Sequence, residues 1–214
     1  MNTSTGNTCV AIVDDDPDIL ALLTALLSRE AIQCKAYASG RSFLDDHDFS
    51  CHGCAVVDLV MPDISGMEVV EELRKRGCQL PLIMLTGYGD IERAVHAMKG
   101  GVFDFLQKPT DPKTLVATVS RALDADATHR KNENEAEDAV ERLISLSARE
   151  REVLKLIIEG NQSRAIAKSL NISVHTVDNH RAHIMRKMRA DSLADLVRIA
   201  CLYANRAGYN WKVS

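Results

Sequence analysis

Long apolar segments are absent from this 214-residue sequence. No run reaches roughly eighteen apolar residues, the length that would suggest a membrane-spanning helix, and no positively charged leader precedes an apolar stretch at the N-terminus. We therefore expect a soluble, cytoplasmic protein. The 46% apolar content and the chain length suffice for two small domains, each with its own core.

A second C-x-x-C motif is absent as well. The sequence holds six cysteines, most of them in apolar stretches, and one C-x-x-C motif that runs from Cys51 to Cys54. Such a motif can be redox-active or half of a zinc site, but here it has no second pair and Cys54 opens a predicted strand. We expect reduced thiols in a protein interior.

Four short apolar runs in the first half of the chain end in residues that bind cations or phosphate. One run ends at Asp58, one at Asp14 and Asp15, one at Thr86 and one at Lys108. A single aspartate at the end of a strand is more often a helix cap or a solvated loop residue. Because the carboxyl ends of parallel strands lie at one edge of a sheet, however, all four runs are expected to deliver their side chains to one site.

The charges of this predicted site indicate its chemistry. Three crowded carboxylates repel one another unless a cation neutralises them, and an oxygen-rich ligand set suits Mg²⁺ or Mn²⁺. Asp58 then offers a nucleophilic oxygen, while Lys108 and Thr86 can bind phosphoryl oxygens. The sequence therefore predicts phosphoryl transfer onto Asp58.

Strand and helix patterns alternate about five times over this half. Apolar residues recur at helical spacing after Pro17, after Ser39 and within 66–76, 90–99 and 111–123. Predicted strands precede these helices at about 9–14 and 32–37, at the Asp58 run, at 82–86 and at 103–107. Repeated strand-helix units predict an α/β fold, a doubly wound (βα)5 parallel sheet, over residues 1–123.

Residues 124–142 differ in composition from what precedes them. They are charged and rich in alanine, and they contain no glycine or proline. A flexible acidic tether is one interpretation, but the abundance of helix-forming residues favours a solvated helical linker that continues the preceding helix.

The last part of the chain, 143–214, carries a different charge from the rest. From residue 146 onward twelve lysines and arginines face six acidic residues, a net charge of +6, whereas the remainder carries −10. A positive surface favours an anionic partner.

The helical pattern of this part indicates how such a partner is bound. A capping box begins at Ser147, Ser163 is expected to cap a short helix, and a longer helix is predicted over about 175–189 with Val177, Ile184 and Met188 on its buried stripe. This order is typical of a small all-α helix-turn-helix domain. A helical bundle with a solvated basic face has the same spacing, so that alternative stays open here.

Both halves together resemble a two-component response regulator of the FixJ/NarL type, a receiver domain joined to a LuxR-type helix-turn-helix. The resemblance covers nearly all of residues 9–200. Its receiver motifs are Val13-Asp14-Asp15, Val57 to Gly66, Leu85 to Asp90, and Lys108-Pro109. Its output motifs are Ser147 to Leu154, Ile166-Ala167, Leu170, Ile172-Ser173, Thr176-Val177, His180, Ile184 and Lys187-Met188.

The resemblance implies a phosphorylation-dependent transcription regulator rather than an enzyme. Asp58 would accept a phosphoryl group from a sensor histidine kinase. Asp14, Asp15, Asp58 and the backbone carbonyl of Val60 would bind Mg²⁺ or Mn²⁺. Lys108 would hold phosphoryl oxygens, and Thr86 and Phe105 would form a switch pair.

The switch pair is implied to reshape the face around the predicted helix 90–99 and the last strand, and that face commonly forms a homodimer in this subfamily. Double-stranded promoter DNA would be the target, with transcriptional activation through RNA polymerase as the family expectation. No membrane partner is expected.

Individual DNA contacts are harder to assign. His175, Asp178, Asn179 and Arg186 lie opposite the predicted buried stripe, and Asn179 is suited to adenine, whereas Arg164, Arg181 and Lys187 are suited to phosphates. Ser173 and Thr176 complete the predicted DNA-binding set, and His180 is expected to be a packed structural residue. Asp178 departs from the lysine that LuxR-type helices often carry there, and an acid at that position repels phosphates.

Two rival functions follow from the same residues. A Mg²⁺-dependent phosphatase of the haloacid-dehalogenase-like kind also uses a nucleophilic aspartate, but it needs a second aspartate where Val60 stands. Alternatively, the helical domain binds protein instead of DNA, which a salt titration of DNA affinity would distinguish. Val60 also offers no hydrogen bond to an attacking water, so we expect the phosphoryl group to persist for minutes or longer.

Overall fold

The computed structural model describes residues 8–46, 52–87, 101–204 and 206–209. Its contacts divide into two compact units, Met1–Arg130 and Lys131–Ser214. The helix predicted for 90–99 lies outside the described residues, as does Cys51.

A parallel sheet forms the centre of the first unit. The described residues contribute five strands in the order β2-β1-β3-β4-β5, and adjacent strands pair in parallel register. The strands are β1 (Thr8–Val13), β2 (Cys34–Tyr37), β3 (His52–Asp58), β4 (Leu82–Thr86) and β5 (Asp104–Gln107). Every residue of β4 is buried, as expected for an inner strand covered on both faces. The predicted α/β parallel sheet is confirmed.

Helices with clear start signals follow most of these strands. They are α1 (Pro17–Arg29), α2 (Gly40–Asp46), α3 (Gly66–Lys75) and α4 (Pro112–Ile144). Asp16 caps α1 by accepting a hydrogen bond from the backbone of Asp18, and Ser65 and Glu68 form a capping box at the start of α3. One apolar cluster includes α2 and α3, and a second includes α1 and the start of α4, so the helices cover both faces of the sheet.

The segment predicted as a helical linker is helical. Residues 124–142 lie within α4, which continues without a break to Ile144. Early in this segment the Asp126 carboxylate accepts a hydrogen bond of 3.0 Å from the backbone N–H of Gly53 and pairs with Arg130 at 2.9 Å. Gly53 has a φ of +141°, and a Cβ there would lie 2.1 Å from the carbonyl oxygen of Cys9. Glycine at position 53 therefore allows the start of β3 to reach both β1 and α4.

The second unit is helical, as predicted. It contains the end of α4 together with α5 (Ala148–Ile158), α6 (Ser163–Leu170), α7 (Val174–Met188) and α8 (Leu193–Tyr203). Ser147 and Glu150 form the predicted capping box, and Asn171 in the left-handed conformation ends α6. The predicted stripe of Val177, Ile184 and Met188 is fully buried in the core of this unit.

Two details of this unit differ from the sequence prediction. Ser163 does not cap α6, because Gln162 adopts the extended N-cap conformation and Ser163 is the first helical residue. Helix α8 was not singled out, although Ser192 before Leu193 is a cap signal, and its side chain accepts from the backbone of Asp195. In the part of the chain that the structure describes, no helix has both the length and the apolar character needed to span a bilayer.

Candidate functional site

The predicted carboxylate cluster is present at the carboxyl edge of the sheet. Asp14 and Asp15 follow β1, and Asp58 is the last residue of β3, the neighbouring strand. Each of these aspartates has a carboxylate oxygen within 4.8 Å of one on each of the other two. Asp14 is buried, Asp58 is partly buried and Asp15 is exposed, so the cluster is open to solvent on one side. Three carboxylates at this spacing fit a hard divalent cation such as Mg²⁺.

Lys108 joins two of these carboxylates. It follows β5, and its Nζ lies 2.6 Å from Oδ2 of Asp14 and 2.9 Å from Oδ2 of Asp58. The other oxygen of Asp14 accepts from the backbone N–H of Asp16 at 2.9 Å, which fixes the Asp14 carboxylate. One ammonium therefore neutralises part of the charge of the acidic cluster.

Burial and charge act in opposite directions on these groups. Burial raises the pKa of the Asp58 carboxyl above its usual value, while the hydrogen bond from Lys108 opposes that shift. For Lys108, burial alone would lower the pKa, but its hydrogen bonds to Asp14 and Asp58 raise it above its usual value. Lys108 therefore stays cationic at neutral pH.

A tight turn leads from Asp58 to α3. Val60 is 58% exposed, and its backbone N–H lies 3.4 Å from Oδ1 of Asp58. Gly66 begins α3, and a Cβ there would lie 2.4 Å from both the carbonyl oxygen of Asp58 and Cε of Met84. Only glycine allows α3 to start this close to the end of β3.

The two predicted switch residues lie on neighbouring strands. Thr86 ends β4 and is buried, and its carbonyl oxygen accepts from the backbone N–H of Lys108 at 2.7 Å. Thr86 pairs with Gln107, two residues beyond Phe105 on β5, so Thr86 and Phe105 point to the same face of the sheet. Phe105 is partly buried against the cluster that packs on α2 and α3.

The exposed face of α7 carries most of the predicted DNA-binding residues. His175, Asp178, Asn179 and Arg186 are all exposed, as is Arg164 on α6, while Arg181 is half-buried. Asn179 Nδ2 lies 3.4 Å from the ring Nε2 of His175. Ser173 caps α7 by accepting from the backbone of Thr176, and the hydroxyls of both residues are 2.8 Å apart. His180 is half-buried.

Two of the predicted DNA contacts on α7 bind side chains of other helices. Lys187 Nζ lies 2.7 Å from Oε2 of the buried Glu150, which also accepts from the backbone of Ser147 at 2.7 Å. Asp178 Oδ1 accepts a hydrogen bond of 2.8 Å from the hydroxyl of Ser163. No local sequence pattern indicates these two contacts, since the partners lie 37 and 15 residues apart.

Comparison with known proteins agrees with this architecture. Residues 10–120 match the model of the response regulator receiver domain, and residues 144–200 match that of bacterial regulatory proteins of the luxR family. The transcriptional regulatory protein FixJ of Azorhizobium caulinodans is 39% identical over 193 residues, which cover 90% of this chain and 92% of that protein. The chain is a response regulator of the FixJ type. A receiver joined to a LuxR-type domain makes this response regulator a phosphorylation-dependent transcription regulator of a two-component system.

Solved structures give the same result for this response regulator. The response regulator StyR is 36% identical with a TM-score of 0.80, over 92% of this chain and 99% of that one. Full-length FixJ from B. japonicum is 34% identical with a TM-score of 0.57, over 95% of this chain and 98% of that one. A receiver domain implies a sensor kinase as a partner, and a LuxR-type domain implies DNA.

Proposed function

We propose that Asp58 is the phosphoacceptor through which this response regulator is switched. The observation that supports this is the position of the Asp58 carboxylate, 2.9 Å from Lys108 Nζ and beside Asp14 and Asp15 at the carboxyl edge of the sheet. The phosphodonor is a sensor histidine kinase. An oxygen of Asp58 forms the new O–P bond, the P–N bond of the phosphohistidine breaks, and the leaving imidazole nitrogen takes up a proton.

The residues around Asp58 have separate roles in this proposal. Asp14, Asp15, Asp58 and the backbone carbonyl of Val60 would hold Mg²⁺ or Mn²⁺. When bound, such a cation neutralises the carboxylates and the oxygens of the incoming phosphoryl group. Lys108, which bridges Asp14 and Asp58, is released to bind a phosphoryl oxygen once Asp58 has become an acyl phosphate.

Phosphorylation is then transmitted to the surface. Thr86 moves toward the phosphoryl group and Phe105 turns inward, which changes the packing face around β5. We propose that this face forms a homodimer. The dimer binds promoter DNA and activates transcription through contact with RNA polymerase, and because the promoter lies in the bacterial cytoplasm, the protein acts there.

We propose three roles along the chain, with the borders that the sequence predicts. Residues 1–123 receive the phosphoryl group, 124–142 link, and 143–214 bind DNA. On α7, Asn179 and His175 face base edges together with Arg186, whereas Arg164 and Arg181 contact phosphates. Ser173 and Thr176 order the start of the recognition helix. Lys187 remains a candidate phosphate contact, although Glu150 competes for its ammonium.

The test is incubation of the full chain with Mg²⁺ and a small phosphodonor, followed by intact mass and a sizing column. We expect one phosphoryl group, a shift from monomer to dimer, and the loss of both in Asp58→Asn. Uptake by Asp58→Asn would refute Asp58 as the acceptor. Uptake by the wild type without a shift would leave the acceptor in place and refute the dimer.

A further inference from the structure

Asp178 is an unusual residue for the exposed face of a helix that approaches DNA. A carboxylate repels the phosphate backbone, so in a complex it needs a hydrogen-bond donor to offset that repulsion. The LuxR-type domain of this response regulator nevertheless carries Asp178 near the start of α7, on the face opposite the buried stripe of Val177 and Ile184.

The Asp178 carboxylate is held in position from another helix. Its Oδ1 accepts from the hydroxyl of Ser163, the first residue of α6, at 2.8 Å. That hydroxyl is available because Gln162, and not Ser163, is the N-cap of α6. The contact also places the acid at the N-terminal end of α6, where the helix dipole attracts negative charge.

Among the residues that the structure describes, none donates a hydrogen bond to the second oxygen of Asp178, and neither a lysine nor an arginine forms an ion pair with its carboxylate. The side-chain hydrogen bond that Asp178 accepts there comes from Ser163. The side chain is exposed, as are the next positions on the same face, Asn179 and Ala182. A fixed acceptor oxygen is therefore presented beside the residues that face DNA.

The chemistry of base edges determines what this acceptor can recognise. In the major groove cytosine presents the N4 amino donor, and adenine presents its N6 amino donor beside the acceptor N7. Guanine presents only the acceptors O6 and N7, and thymine presents the acceptor O4 with a methyl group. A carboxylate is satisfied by the cytosine amino group, is repelled by the acceptors of guanine and thymine, and at adenine meets the N7 acceptor next to the donor.

We propose that Asp178, positioned by Ser163, is a specificity-determining residue that selects cytosine at one base pair of each half-site. This inference rests on the proposed DNA-binding function. It explains why an acid on α7 is compatible with DNA binding, since the charge that weakens binding to any DNA also excludes sites that lack a donor there.

Substitution by asparagine gives a sharp test, because an amide both donates and accepts and is suited to adenine instead of cytosine. The full chain, treated with Mg²⁺ and a small phosphodonor, is used to select from a pool of randomised duplexes, and the selected sequences of each variant are compared. For Asp178→Asn we expect the cytosine preference at one position to be lost or replaced by adenine, and all other positions to be unchanged. In competition between duplexes that differ only there, the discrimination should fall about 5- to 150-fold.

Two further variants separate specificity from charge and from folding. Ser163→Ala keeps the Asp178 carboxylate and its charge but removes the hydrogen bond that holds it in position. The cytosine preference at that base pair should therefore weaken, while the salt dependence of DNA binding stays the same. Glu141→Gln removes one negative charge from an exposed position of α4 and should leave every selected position as in the wild type. Thermal unfolding of each variant checks that the fold is retained.

The outcomes distinguish this inference from the function on which it rests. If the wild type enriches a sequence and Asp178→Asn enriches the same one, Asp178 only braces α6 against α7 and the inference is wrong. If the wild type enriches no sequence at all, the proposed DNA-binding function fails, and this inference fails with it.

Discussion

The ammonium of Lys187, near the end of α7, lies 2.7 Å from Oε2 of Glu150 in the first turn of α5. Glu150 is only 4% exposed, and it also closes the capping box with Ser147. The pair thus joins the end of α7 to the start of α5 through a buried carboxylate. Its first consequence concerns folding.

We expect Lys187→Met to lower the free energy of unfolding by about 1–2 kcal/mol, because it leaves a buried carboxylate without its cation. Lys187 is 38% exposed on its side chain, so the cost falls below that of a fully buried pair. Urea unfolding followed by circular dichroism measures it. The adjacent, exposed Arg186 provides the control, since Arg186→Met should change stability by less than about 0.5 kcal/mol. Equal effects of the two substitutions would contradict a structural role for Lys187.

The same pair makes stability depend on acid pH. Although burial would raise the pKa of Glu150, the hydrogen bonds from Lys187 and Ser147 lower it from 4.5 to about 2. A lowered pKa stabilises the folded state above pH 4.5, and this contribution is lost as the pH falls toward 2. At 1.36 kcal/mol per pKa unit it amounts to at most about 3 kcal/mol, and solvent screening at the exposed Lys187 ammonium reduces it.

Glu150→Gln removes this titration while retaining the size of the side chain. The difference in unfolding free energy between the wild type and Glu150→Gln should therefore shrink as the pH is lowered from 5 to about 2.5. Urea titrations at several pH values measure the difference and cancel the titration of the other acids. A difference that does not depend on pH would show that the Glu150 carboxyl is not stabilised by its partners.

Binding of Mg²⁺ should stabilise the protein through the acidic cluster. At about 100 times the dissociation constant, one bound ion adds about 2.7 kcal/mol to stability, which a thermal unfolding scan detects. Asp15→Asn removes an exposed member of the cluster and should reduce this gain. Asp18→Asn is a matched control outside the cluster and should retain the full stabilisation by Mg²⁺. An equal gain in stability for the two variants would argue against the proposed ligands.

The lifetime of the phosphoryl group should depend on Val60. Its side chain is exposed two residues beyond Asp58 and cannot hydrogen-bond an attacking water. We expect a half-life of minutes or longer in a radiolabel decay assay, a shorter one for Val60→Asn, and little change for Val60→Ala. A wild-type half-life of seconds would contradict the prediction that Val60 leaves the phosphoryl group long-lived.

Tyr209, which follows α8, packs on the helical unit. Its hydroxyl accepts from Arg151 at 3.1 Å and lies 3.5 Å from the carbonyl oxygen of Leu143, and the Arg151 guanidinium lies 5.6 Å from its ring centroid. Tyr209→Phe should lower the unfolding free energy by about 1 kcal/mol in urea titrations. Tyr203→Phe is the control, because the Tyr203 hydroxyl makes no hydrogen bond to any described residue. If both substitutions had the same effect, the Tyr209 hydroxyl would contribute nothing specific.

Local signals predicted much of this molecule. Apolar runs identified the five strands, and the parallel arrangement followed from the helices between them, so the convergence of Asp14, Asp15, Asp58 and Lys108 was foreseeable. Pro17 gave the start of α1, the capping box at Ser147 gave the start of α5, and the helical pattern from about residue 175 gave the start of α7 to within a residue. Such features are predictable because they depend on residues close together in the sequence, or on the edge of the sheet at which parallel strands end.

Contacts between distant residues were not predictable in the same way. Serine is a common N-cap residue, so Ser163 was expected to cap α6. The extended backbone of Gln162 makes Gln162 the N-cap instead, and the Ser163 hydroxyl binds Asp178. A lysine on this helix is suited to contact DNA phosphates, yet the Lys187 ammonium pairs with the carboxylate of Glu150. The packing of Tyr209 depends on Leu143, 66 residues earlier, and on Arg151. Periodic patterns along the sequence do not reveal which distant residues form such pairs.

The hydrogen bond from Gly53 to Asp126 has a consequence for protein engineering. A receiver module cut after Leu123, where the strand-helix pattern ends, would leave the backbone N–H at the start of β3 without its acceptor. A module carried through Arg130 retains both Asp126 and its partner. Chimeric sensors that graft this receiver onto a new output should therefore place the fusion junction after Arg130.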